Sequence, residues 1–334
     1  MKALYINGIG SINALGASPN EAETLVCVEP DYKQYLDSTA VRRLSKLIKR
    51  TLVAAKMSLQ EAHIQLPDAI VTGTGLGCLE DTEKFLSSVL EDELGMLSPT
   101  AFIQSTHNTL SGQIALMLKC HGYNTTYAQR SLSFEQAVED SMMWLQDTPM
   151  QHVLVGGADE ISLHAHRILQ KIGLFRSPYK KNSLPIAGEG AHYFVLSSQK
   201  NEHSKAKVLG LQYMYQEIQI KKALHAFLEE HQLTSSEIDA VILGNNGHPI
   251  YDNLYIELAS YLPESWHVTY KHLTGEYFTA SAFAWKLACD GLASSSFEDR
   301  FVLKKSARPL NTLLIYNHFQ NKEHSFALLK HVES

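Results

Sequence analysis

The chain carries four cysteines and sixteen histidines, the residue types that most often act as nucleophiles, metal ligands and proton shuttles. Cys27, Cys78, Cys120 and Cys289 are widely scattered, each stands beside apolar residues, and no two fall at CxxC or zinc-ligand spacing. They read as buried free thiols. His164 and His166 are the one close histidine pair near other ligands, but at i and i+2 they face opposite ways, so no metal is expected. Gly73-Thr74-Gly75-Leu76-Gly77 superficially resembles a phosphate-cradling loop. No Gly-Lys-Ser/Thr follows it, and Glu80 stands where a GxGxxG fingerprint needs its third glycine, so nucleotide binding is not expected either.

The elements that position such residues are legible in the apolar pattern. With 334 residues, 45% of them hydrophobic and 19% charged, the chain can bury a full core. Its net charge of −6 and lack of basic runs argue against a nucleic-acid partner. Apolar stretches such as Ala280 to Ala288 are broken before the roughly 20 residues a membrane span needs, and residues 1–16 lack the continuous apolar stretch of a secretory signal. No membrane span and a cytoplasmic location are expected.

Residues 1–12 predict a strand ending in Asn7-Gly8-Ile9-Gly10, followed by a helix from Asn20 to Val28, because Ser18-Pro19 supplies start signals. Leu44, Leu47, Ile48, Leu52, Ala55 and Leu59 predict an amphipathic helix over 42–62. Strands are expected at 69–74, 125–128 and 152–155, and helices at 108–119 and 134–146. This alternation argues for a parallel, buried sheet with helices on its faces. The polar stretch from Ser197 to Lys205 divides residues 1–200 from a second half, 205–334. There strands are predicted at 207–213, 240–243, 266–270, 310–316 and 325–331, around helices at 221–230, 251–261 and 277–292.

In joint order, the glycine turn of residues 1–16, Arg42-Arg43-Leu44-Ser45-Lys46, Thr72 to Gly77, Leu97-Ser98-Pro99 through His107 to Ala115, Gly156-Gly157-Ala158-Asp159-Glu160 and Gly188-Glu189-Gly190-Ala191 resemble the β-ketoacyl-acyl-carrier-protein synthases. Gly244 to Asp252, Lys271 to Glu276 and Asn317-His318-Phe319 extend the likeness into the second half. The resemblance implies an α/β thiolase-like fold, two similar halves in alternating layers of helices and mixed sheets, assembled as a dimer.

The family's chemistry uses a cysteine at a strand-to-helix elbow, where a helix N-terminus favours thiolate, and two histidines acting in malonyl decarboxylation and condensation. Counted without gaps from Gly156, the nucleophile position falls on Ser131. Alignment on Pro249 and Asp252 puts Gly244 at the first histidine, and Glu276 follows Thr274-Gly275 where the second belongs. Lys271 is retained. Gln320, Lys322 and Glu323 stand where the family's gate loop has glycines, so that loop is stiffened or rebuilt. All three catalytic positions are replaced.

Ser131 reads either as a small residue whose hydroxyl caps the following helix or as a nucleophile with His248 as base and Glu276 as orienter. Asn246, beside Asn245, offers amide donors to a carbonyl or ordinary turn chemistry. Arg130 holds a phosphate or fills the old pocket. Tyr127, Phe134 and Phe319 are further candidate acyl-binding residues. Three functions follow, from different classes. One is a non-catalytic, chain-length-factor-like subunit of an active synthase in fatty acid, polyketide or aryl-polyene-type biosynthesis. Another is an acyltransferase, condensing enzyme or thioesterase rebuilt around Ser131, and a stand-alone binder of acyl groups or carrier protein is a third. The implied partners are an active β-ketoacyl synthase or a second copy, and acyl carrier protein. No cofactor is implied beyond the phosphopantetheine that the carrier brings.

Overall fold

Period-two alternation sets the architecture. In β1 (Leu4–Asn13), Leu4 and Ile6 join one core cluster while Ile12 joins another, although all three have even numbers. The reversal comes from a bulge at Asn7, where the register with β7 shifts by one residue. Asn7 is anchored there by donating from Nδ2 to the Gln199 carbonyl at 3.0 Å and accepting from the Ser204 hydroxyl at 2.7 Å.

The computed structural model describes residues 2–20, 23–37, 39, 42–91, 99–177, 184–216 and 219–333. After β1 come β2 (Thr24–Leu25), α1 (Lys46–Glu61), β3 (Ala69–Gly73), α2 (Leu79–Glu91), α3 (Pro99–Gln104), α4 (Thr109–Leu118) and β4 (Tyr123–Tyr127). Next are α5 (Ser133–Asp147), β5 (His152–Asp159), α6 (Leu163–Lys171), β6 (Ala187–Gly188) and β7 (Gly190–Ser197). The chain continues through β8 (Ala206–Tyr215), α7 (Ile220–Glu230), β9 (Ala240–Leu243), α8 (Asn253–Ser260) and β10 (Trp266–Thr269). It ends with α9 (Lys271–Thr274), α10 (Ser281–Ser294), β11 (Val302–Lys304), β12 (Thr312–Phe319) and β13 (Glu323–Lys330).

Eleven strands hydrogen-bond in the order β11-β10-β9-β12-β13-β8-β1-β7-β5-β3-β4. The first five core strands lie as β4-β3-β5-β7-β1 and the second five as β10-β9-β12-β13-β8. Both sets follow the pattern third, second, fourth, fifth, first in chain order. They meet where Leu4 to Ile6 pair antiparallel with Ala206 to Val208.

Helix α5 packs on β3, β4 and β5 and also on β8, and α10 packs on β12 and β13 and also on β1 and β7. These two helices form the middle layer. Val153, Val155, Ile242 and Ile315 point into it, while Leu154 faces the outer helices α1 and α4, and Val241 and Leu314 face the outer helices α7 and α8. The layering is helix, sheet, helix, sheet, helix. Gly10 lets β1 lie directly on α1, since a Cβ there would stand 1.8 Å from the Ala54 carbonyl oxygen.

Three expectations need correction. The sheet is mixed rather than parallel, because β7 runs antiparallel to both β1 and β5, and β13 to both β8 and β12. The helix expected over 20–28 is absent from its described residues: Thr24–Leu25 instead pairs parallel with Ala187–Gly188. Asn20 closes that segment as a loop, its Oδ1 accepting from the Thr24 amide at 3.1 Å. Helix α1 begins only after Ser45, four residues later than its periodicity suggests. Leu97 and Ser98 lie outside the described residues. The four cysteines are buried and free, and among the described residues no helix is long and apolar enough to cross a membrane.

Candidate functional site

The elbow after β4 is a short 3-10 turn, Arg130 to Leu132, entered through Arg130 at φ 53°. A non-glycine residue in the left-handed region marks a turn held by its surroundings. Ser131 is buried and donates from Oγ to Glu323 Oε2 at 2.5 Å. It does not cap the helix, whose N-cap position is Leu132; Ser133, the first residue of α5, instead closes the turn, accepting from the Gln129 amide and donating to the Arg130 carbonyl, both at 2.7 Å. One helical turn beyond Ser131, Glu135 accepts from Ser325 Oγ at 3.0 Å. Burial pushes the Glu135 carboxyl up to about 7, against the opposing pull of the Ser325 hydrogen bond and the charge of Lys271. Ser131 in the turn and Glu135 on α5 thus meet two alternate residues of β13.

Across the hairpin, Lys271 donates to Asn317 Oδ1 and to Glu276 Oε2, each at 2.8 Å, and Asn246 Nδ2 donates to the same Glu276 oxygen at 2.7 Å. Lys271 and Glu276 are 3% and 7% exposed, so the pair is removed from solvent screening. Gly244 sits beside them. A Cβ at that position would stand 2.3 Å from Asn317 Oδ1 and 2.7 Å from the Tyr255 hydroxyl, so the volume an imidazole would need is filled. Tyr255 stacks on His318 with ring centroids 4.2 Å apart, and its hydroxyl accepts from the His318 amide at 2.9 Å. Burial holds the His318 imidazole well below its usual range.

The gate segment is a tight hairpin. Gln320 and Asn321 take φ of 52° and 56°, and the Lys322 amide donates to the Phe319 carbonyl at 3.1 Å, as in a type I′ turn.

A cleft of about 580 Å³, including its open mouth, runs over this region. Asn246, His248, Glu276, His318 and Phe319 line it, with Phe278 and Tyr251 among its aromatic walls. Several sequence-derived candidates lie elsewhere. Ser131 does not line the cleft, and no hydrogen bond joins it to His248 among the described residues. His248 instead accepts from the Ile250 and Tyr251 amides at 3.2 and 3.3 Å, and Glu276 is bonded to Lys271 and Asn246. The arrangement of nucleophile, base and orienter is therefore not formed.

Phe134 is 0% exposed and packs edge-on against Trp285 at 5.7 Å, in the middle-layer core rather than in an acyl site. Arg130 is exposed and fills no pocket. Tyr127 is half-buried at the end of β4, which pairs with β3 alone and forms one edge of the sheet. The sequence reading flagged Glu323 only as a departure from the gate glycines and missed Tyr255 and Glu135. The four-residue spacing of Ser131 and Glu135, which brings the turn and the first turn of α5 to one side, is the signal that was available for Glu135.

This layered fold is that of the condensing enzymes. The ishigamide ketosynthase/chain length factor is matched with TM-score 0.80 at 14% identity, over 99% of this chain and 100% of that one. The ketosynthase ApeO in complex with its chain length factor ApeC, from Xenorhabdus doucetiae, is matched with TM-score 0.78 at 15% identity, over 99% and 98%. A complex of a type II PKS acyl-carrier protein with its ketosynthase bound to the hexaketide is matched with TM-score 0.79 at 11% identity, over 99% and 100%. No curated protein matches by sequence. Residues 20–235 match the model of the β-ketoacyl synthase N-terminal domain, and the chain belongs to that family.

Proposed function

We propose that this chain is a non-catalytic, chain-length-factor-like subunit that pairs with an active β-ketoacyl synthase, in the cytoplasm, in fatty acid, polyketide or aryl-polyene-type biosynthesis. The observation that carries the reading is that each residue counted onto a catalytic position by the resemblance is engaged in other contacts. Ser131 is bonded to a carboxylate, Gly244 is walled by Tyr255 and Asn317, and Glu276 is paired with Lys271. None supplies an activated nucleophile or an imidazole aimed at a thioester. The open edge of β4 offers strand pairing to a synthase or to a second copy. The solved complexes described above pair a ketosynthase with a chain length factor, and a ketosynthase with an acyl-carrier protein. Carrier protein is the second partner, bringing phosphopantetheine while the chain holds no cofactor of its own.

The test is co-expression with an intact synthase of the same pathway. The two chains are expected to co-purify, the pair to consume malonyl-carrier protein, and this chain alone to do nothing. Turnover by this chain alone, abolished by Ser131→Ala, would replace the reading with the rebuilt acyltransferase, condensing or thioesterase alternative.

A further inference from the structure

The cleft has an order of polarity that its apolar walls leave exposed. At its floor Glu276 is 7% exposed and spends only Oε2 on Lys271 and Asn246; Oε1 has no hydrogen-bond partner among the described residues. An ionised carboxylate only accepts. Lys271 balances its charge, so the floor offers an acceptor without a net charge to attract cations. Nearer solvent, His248 is half-buried and its Nδ1 accepts two backbone amides, which leaves the proton on Nε2 as a donor. Phe278, Phe319 and Tyr251 wall the space around these two groups.

We infer that the cleft selects an uncharged ligand whose inner tip donates a hydrogen bond, as a thiol or hydroxyl does, and disfavours one ending in a thioester carbonyl. A carbonyl oxygen at the floor would face Glu276 Oε1 acceptor to acceptor, with both desolvated by aromatic walls. A thiol tip meets the acceptor, and an amide carbonyl farther back meets His248. The chain would thus engage a carrier arm that has been emptied in preference to one still loaded. This deepens the proposed function and rests on it for the identity of the visitor.

The test titrates the full chain with pantetheine and with S-acetylpantetheine, followed by protein NMR. Pantetheine is expected to bind at least about fivefold tighter. In Glu276→Gln the amide oxygen keeps the bonds from Lys271 and Asn246 and turns the NH2 into the cleft, so the preference should reverse. His248→Ala should weaken both probes alike. Equal affinities for the two probes in the wild-type chain, an unchanged ratio in Glu276→Gln, or no binding of either probe at millimolar concentration would overturn the inference. The wild-type comparison stands even if the variant fails to fold. Loss of selectivity alongside intact pairing with a synthase would reject this inference and leave the subunit reading in place.

Discussion

Ser131, in the turn that leads into α5, donates its hydroxyl hydrogen to Glu323 of β13 at 2.5 Å, across 192 residues of sequence. The family places a thiolate at this helix N-terminus; here a carboxylate from the hairpin faces the same positive helix end. The contact makes the elbow a structural joint. Ser131→Cys should therefore give a poor nucleophile, because a like charge at hydrogen-bond distance disfavours thiolate. Iodoacetamide labelling of Ser131→Cys is expected to be slow, and Glu323→Gln in that background to speed it by about tenfold, the equivalent of one pKa unit. Equal rates in the two variants would refute the joint.

Legibility from the sequence followed the range of the interaction. The strand at 240–243 was readable to the residue because four apolar residues sit between Asp239 and Gly244 and are buried on both faces. That Ser131, Gly244 and Glu276 carry neither thiol nor imidazole was readable because it needs only residue identity. What fills the vacated space was not. Tyr255 and Asn317 close on Gly244 from a helix and a strand distant in the chain, and Glu323 reaches Ser131 only because β13 pairs with β12 in a fixed register. The misread helix at 20–28 has the same origin, since its start signals were local and its partner, β6, lies far along the chain.

Gly244 is expected to resist restoration of the missing histidine. Its Cβ position lies within 2.7 Å of both Asn317 Oδ1 and the Tyr255 hydroxyl, and Tyr255 is held in turn by its stack on His318. Gly244→Ala should cost about 1–3 kcal/mol by overpacking, and Gly244→His should cost more without restoring malonyl decarboxylation. Urea midpoints and a decarboxylation assay check both. A stable, active Gly244→His chain would show that the space is adaptable.

Phe134 and Tyr127 should separate cleanly. Phe134 is fully buried between Phe194 and Trp285, so Phe134→Ala should destabilise the chain by about 3–5 kcal/mol. Tyr127 stands on the open sheet edge, so Tyr127→Ala should leave the urea midpoint nearly unchanged while weakening assembly with a partner chain by about tenfold. Analytical ultracentrifugation together with denaturation distinguishes the two. A Tyr127→Ala chain that assembles normally would remove β4 from the interface.

Glu135 makes stability depend on pH. Desolvation raises its folded-state pKa from the ordinary carboxylate value to about 7, so between those values the folded chain holds a proton that the unfolded chain has released. Its contribution is fully present in acid, below the unfolded value, and is lost as pH rises through about 7. Glu160, half-buried beside Glu80 and pushed up to about 8 by desolvation, acts in the same direction. His192, fully buried and lowered to about 3, acts oppositely, since folding must then exclude a proton that the unfolded imidazole binds below its ordinary value. Glu135→Gln mimics the protonated acid and keeps an acceptor for the Ser325 hydroxyl. It should gain on the wild type by about 1–3 kcal/mol between pH 5 and pH 8 while matching it near pH 4. Parallel pH series of urea denaturation for the two chains measure that difference. A constant offset across the range would mean that Glu135 shares one pKa in the folded and unfolded chains.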